Sequence, residues 1–199
     1  MLVTACAKGQ ASESAPPALT EADYPGELAE TLSGPDFMAR QRLRGNAHGR
    51  EIGGEVVLQK QGDTLTLVGL TPFGTKAFVA RQQGAEERVE VLSPEGKLPF
   101  PPRFMLLDVH RVHFLGLPGA PLPDGTHQGE VGAERVTEVW QDGALQERRF
   151  ERKDGRPAGA IVVTYEGGMK DGALPPRVRL DNGWFGYTIE VETLVWQPL

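Results

Sequence analysis

Cysteine occurs once in the 199 residues, at Cys6, which excludes an internal disulfide framework and any cysteine-based zinc site. Aromatic residues are sparse at 7%, so few large rings are available to fill a wide core. No apolar run approaches the roughly 20 residues a membrane-spanning helix needs. Basic charge is outweighed, with 21 lysines and arginines against 27 aspartates and glutamates and a net charge of −6. No basic face accumulates to neutralise phosphates, which argues against nucleic acid as a partner. Also missing are a Gly-x-Ser-x-Gly elbow, a phosphate-binding glycine loop and a Gly-x-Gly-x-x-Gly after a strand. No nucleophile, base and oxyanion grouping can be assembled, so the sequence reads as a non-enzyme that needs no cofactor.

Turn residues, by contrast, are abundant. The 25 glycines and 16 prolines are spread between short apolar runs, the signature of an all-β chain. Hydrophobic residues make up 39% and charged residues 24%, enough for a globular core. The length suits one domain plus a short tail. Residues 1–19 read as the tail and residues 20–199 as a single domain.

The tail carries the most specific short pattern. Leu2-Val3-Thr4-Ala5 before Cys6 runs apolar, β-branched, then small, as the end of a lipobox does before a cysteine whose thiol is acylated. From Ala7 to Pro17 the residues are mostly small and polar, which suits a flexible tether. Cys6 is therefore the candidate lipid anchor, and a membrane is the partner this anchor implies.

Thr20 to Ser33 reads as a short helix, capped by Thr20 and ended by Gly34-Pro35. From Asp36 the period changes to two. Phe37, Ala39, Gln41, Leu43, Gly45 and Ala47 alternate with Met38, Arg40, Arg42 and Arg44. Further strands are expected over residues 55–60, 64–70, 75–80 and 88–92, joined by short loops as an antiparallel meander. Residues 101–115 break this pattern. They are apolar at i, i+3, i+4 and i+7, start on a proline pair and stop at Gly116-Leu117-Pro118, which predicts a largely covered helix. Strands resume over 135–140, 145–152, 160–165, 177–180 and 187–196, with Asp142-Gly143 as a strong hairpin turn.

That gives about nine to eleven strands interrupted by one buried helix. A meander this long twists, so the expected fold is mainly β, a curved antiparallel half-open barrel with a covering helix. A ligand or large side chains must fill the curl. Leu58, Leu67, Phe73, Phe78, Val91, Phe104, Leu107 and Trp140 are the candidate lining of a hydrophobic ligand cavity, each placed to point inward or to sit on the helix.

The segment Leu70-Thr71-Pro72-Phe73-Gly74-Thr75-Lys76-Ala77-Phe78, followed by Pro101-Pro102-Arg103-Phe104-Met105-Leu106-Leu107-Asp108, resembles a family of uncharacterised bacterial lipoproteins. That family is related to the Lol lipoprotein-localisation factors, the LolA/LolB-like superfamily, and some members are encoded beside aryl-polyene pigment genes. The resemblance covers most of residues 36–196. It implies a LolA/LolB-like half-barrel with a helical lid, a lipid anchor in the outer membrane facing the periplasm, and binding of an acyl or polyene chain rather than catalysis. Ala7 after Cys6, in place of aspartate, fits that family's outer-membrane sorting pattern.

Other chemistry is weaker. The histidines are His48, His110, His113 and His127. His110 and His113 share a helix face near Asp108, but without His-Glu-x-x-His spacing they read as polar helix surface, and no metal site is expected. Glu190 and Glu192 fall on one solvated strand face. Arg40, Arg42 and Arg44 form a second such face, or a docking patch if the chain is instead a scaffold that binds a protein partner.

Overall fold

The computed structural model describes residues 24–92, 101–170, 173 and 175–199. Cys6 and the tether lie outside the described residues. Five strands come first: β1 (Phe37–Ala47), β2 (Arg50–Gln61), β3 (Thr64–Leu70), β4 (Lys76–Gln83) and β5 (Glu86–Val91). The helix α1 (Pro102–His113) follows. Six more strands complete the chain: β6 (Gly125–Val131), β7 (Glu134–Gln141), β8 (Ala144–Arg152), β9 (Ile161–Met169), β10 (Arg177–Asn182) and β11 (Tyr187–Pro198).

All eleven strands form one sheet in the order β5-β4-β3-β2-β1-β11-β10-β9-β8-β7-β6. Each pairing is antiparallel. Two meanders, β1–β5 and β6–β11, are thus joined at the middle by β1 and β11. Among the described residues the sheet ends in two free edges, β5 and β6, and does not close. It curves because both halves pack on the same helix. Leu67 and Phe78 of the first half cluster with Leu106, while Val136, Phe150 and Leu180 of the second cluster with Phe104 and Leu107. A flat sheet cannot bring both flanks onto one helix.

Local chemistry explains the turns. Asp142 and Gly143 take φ of 52° and 66°, the two-residue geometry that fits the strands' right-handed twist. His48-Gly49 does the same between β1 and β2, with φ of 50° and 79° and the Asn46 Oδ1 accepting from the Gly49 N–H. The central seam is set by charge as well as by backbone. Arg42 stands opposite Glu192, and Arg44 opposite Glu190. The two rows that look like separate solvated faces in sequence are cross-strand neighbours. Arg42 forms an ion pair with Glu192 at 3.3 Å, worth about 0.2–1 kcal/mol, while Glu190 is held by Arg179 of β10.

Two expectations need correction. Residues 24–33 form no helix. Gly26 takes φ of +146°, which no helical residue adopts, and the segment's backbone groups are claimed by side chains elsewhere. Pro25 O accepts from Arg111, Ala29 O from Gln82, and the Ala29 and Leu32 N–H groups donate to His110 and Asp63. The segment is an extended strap across α1, and residues 20–23 lie outside the described residues. The second correction is β6, which the sequence reading leaves as loop. Its residues Gly-Thr-His-Gln-Gly-Glu-Val show no apolar alternation because, on a free edge, most of them face water.

Candidate functional site

Helix α1 is pinned from several sides. Its start carries Pro at the first turn with no side-chain cap. At the other end the Arg111 and Val112 carbonyls accept from Arg148 Nη1 at 3.1 Å and the Tyr165 hydroxyl at 2.8 Å, which satisfies two acceptors the helix leaves unpaired. Arg148 also donates to Glu138 at 2.7 Å, and Glu138, fully buried, accepts from Leu117 N and Trp140 Nε1.

The polar face of the helix is buried rather than exposed. Asp108 accepts from the Tyr24 hydroxyl and, at 2.6 Å, from the Tyr187 hydroxyl. Asn182 donates to both phenol oxygens at 2.8 Å. Burial raises the Asp108 carboxyl to about 6 against the pull of those two donors. Arg111 pairs with Glu134 at 2.6 Å. Its guanidinium carbon lies 5.0–5.8 Å from the rings of Trp184, Tyr24 and Phe150, which face the cation with their negative π surfaces.

His110 is fully buried, not helix surface. Its Nδ1 accepts from Ala29 N–H at 3.1 Å, so Nε2 carries the proton and donates to Gln82 Oε1 at 2.5 Å. Burial lowers His110 to about 4 and His113 to about 3, with Arg111 and Arg148 adding to the effect respectively. Asp108, His110 and His113 thus turn to three different sets of neighbours. Among the described residues no group of three or more metal-ligating side chains converges.

Between α1 and the middle of the sheet the packing is incomplete. A cleft of about 190 Å3 is walled by β1 to β4, α1, β10 and β11. Its apolar wall includes Leu43, Val56, Leu67, Phe78, Met105 and Val109. Gly69 makes room for one side of it, since a Cβ there would meet the Phe78 ring at 2.0 Å. The cleft sits on the boundary between the two apolar clusters, where α1 contributes to both.

Of the eight residues expected to line a cavity, Leu67, Phe78 and Phe104 do so. Leu58, Leu107 and Trp140 are buried in packed core beside it. Phe73 is 93% exposed on the turn between β3 and β4, and Val91 is 41% exposed on the edge strand β5. Neither reaches the cleft, because a turn tip and a free edge have no opposing layer. The sequence reading missed Gln41, Val109, His113 and Tyr187, all part of the wall. Gln41 had a signal. It is the one polar side chain in the inward row Phe37, Ala39, Gln41, Leu43. Two members of the arginine row are paired within the sheet, Arg40 with Glu55 and Arg42 with Glu55 and Glu192.

An open antiparallel half-barrel, wrapped on one fixed helix and holding an apolar cleft beneath it, is the class that fold and site define. The chain belongs to the family described as Protein of unknown function (DUF3261), whose model matches residues 38–195. No curated protein matches it. Among solved structures, a LolA-superfamily protein from Nitrosomonas europaea is similar at 10% identity and a TM-score of 0.46, over 83% of this chain and 87% of that one. A domain described as an outer-membrane lipoprotein-sorting protein, from Vibrio parahaemolyticus, has 8% identity and a TM-score of 0.43, over 85% and 87%. A DUF1329-family protein from Desulfovibrio piger has 13% identity and a TM-score of 0.42, over 83% and 86%. Likenesses this distant carry no function across.

Proposed function

We propose that this chain is an envelope lipoprotein, anchored through Cys6 in the outer membrane facing the periplasm, that binds or hands on an apolar, acyl-type ligand in the cleft beneath α1. The ligand class is a lipid, a lipoprotein acyl chain or a polyene. One observation carries the reading: the cleft stays unfilled although apolar side chains from both sheet halves and the helix face it. Side chains in a core without such a purpose close-pack. Each methylene moved from water into the cleft contributes about 0.8 kcal/mol. A cavity of about 150 Å3 is known to accept a benzene-sized guest, so this one takes a segment of a single chain. Phe73, almost fully exposed on the turn that joins Leu70 to Lys76, supplies an apolar tip for contact with a bilayer surface. Among the described residues no helix is long and apolar enough to cross a membrane.

Two variants test this. Val109→Trp fills the cleft from the helix side and is expected to abolish binding of an uncharged naphthylamine probe while the protein stays folded by circular dichroism. Probe binding equal to that of the unaltered chain would remove the cleft as the site. Phe73→Glu is expected to lower partition of the protein into phospholipid vesicles several-fold and to leave probe binding unchanged. Unchanged partition would remove the tip.

A further inference from the structure

The cleft is not lined by hydrocarbon alone. Asp108 and Tyr187 reach its wall, but their polar atoms are turned on one another at 2.6 Å. Of the charged residues that border it, Glu55 is held by Arg40 and Arg42, while Arg44 is exposed to water. Gln41 and His113 differ. Gln41 is 4% exposed, and the bond described for its amide runs from Nε2 to Thr193 Oγ1 at 3.5 Å, the outer limit of a hydrogen bond. A primary amide offers two N–H donors and a carbonyl with two lone pairs, so most of its capacity is unused there. His113 borders the same cleft, and the contacts described for its ring are aromatic, with Phe37 at 6.4 Å and Phe114 at 5.9 Å between centroids. A neutral imidazole there has one donor and one acceptor.

Such groups are costly to enclose without partners. A plain hydrocarbon entering the cleft would strip water from both and give nothing back. We infer that the ligand carries a hydrogen-bonding oxygen within or at the end of its apolar segment, an ester, carbonyl or hydroxyl, which Gln41 and His113 recognise. This rests on the reading of the cleft as a ligand site and adds the chemistry that the site selects. The small volume sharpens it. If about 190 Å3 accommodates on the order of six to eight carbon atoms, the oxygen must lie close to the buried end of the chain, not in a headgroup outside.

The test uses the full chain and an uncharged naphthylamine probe, displaced by two competitors of equal carbon number, octane and methyl heptanoate, with heptanoic acid and octanol as further arms. The quantity read is the ratio of the two displacement constants, so the greater hydrophobicity of octane cancels between variants. Gln41→Met and His113→Leu are each expected to shift that ratio about three- to ten-fold toward octane, the size of one buried hydrogen bond. His113→Gln retains a donor and should keep most of the preference for the ester. The free acid and alcohol arms show whether the oxygen belongs to an ester or to a chain terminus. A ratio unchanged in both Gln41→Met and His113→Leu, with probe and competitors still binding, overturns the inference and leaves the proposed function standing. Failure of all the competitors to displace the probe from the unaltered chain overturns both.

Discussion

Asp108 shows how a single side chain is placed against its own solvation. Its carboxyl is buried between two phenols, and burial raises it to about 6 from an ordinary value near 3.8. Between about pH 4 and 6 the folded state therefore holds a proton that the unfolded chain has already lost. The stabilising contribution is fully present below about pH 4 and is lost as pH rises to about 6, at up to about 1.4 kcal/mol per pH unit. His110 and His113 act in the opposite direction. Their folded values of about 4 and 3 lie below 6.5, so their contribution is present above pH 6.5 and lost on acidification. These slopes oppose one another in the unaltered protein, and a variant separates them. Asp108→Asn keeps an acceptor for one phenol, and its thermal midpoint is expected to gain on that of the unaltered chain as pH is raised from 4 to 6. A gap that stays constant over this range would show that the carboxyl does not titrate there.

At the scale of elements, the helix is the part to understand. The sequence reading makes it a covering lid, and in the structure it does cover the cleft, with its polar face bonded to the sheet. Buried polar bonds to Tyr187, Glu134, Arg148 and Tyr165 fix it to β6–β11, while toward β1–β5 it is held by His110 to Gln82 and by the part-exposed ion pair of Arg103 with Glu87 on β5. Arg148→Met removes the helix's carbonyl cap and leaves the buried Glu138 without its cation. The expected cost is about 3–5 kcal/mol in urea unfolding, and a loss below 1 kcal/mol would show that the pair does not hold the helix. Most strands, and α1, were legible because period two, period 3.6 and the Asp142-Gly143 turn are local properties. The strap was not, because its conformation is set by Arg111, Gln82, His110 and Asp63, distant in sequence. Nor was the β1–β11 seam, which depends on two charge rows finding each other. Cleft residues were legible only where apolar identity and inward phase coincided, as at Leu67 and Phe78. Phase alone cannot separate a cleft wall from packed core, and so Leu58, Leu107 and Trp140 were grouped with them.

For the whole molecule, the design is a sheet too wide for its core. Two meanders share one helix, the apolar clusters on its two sides do not quite meet, and the space between them is the cleft. Within the arginine row, Arg40 and Arg42 are paired with Glu55 and Glu192. What the surface does present are the Phe73 tip and the open edges β5 and β6. The most direct test of the central claim is native mass spectrometry of the protein purified from its own envelope membranes, with Val109→Trp prepared in parallel. The account predicts a noncovalent adduct with the mass of an apolar, chain-bearing molecule on the unaltered protein, lost on denaturation and absent from Val109→Trp. Bare polypeptide, or an adduct equally present on both, would contradict it.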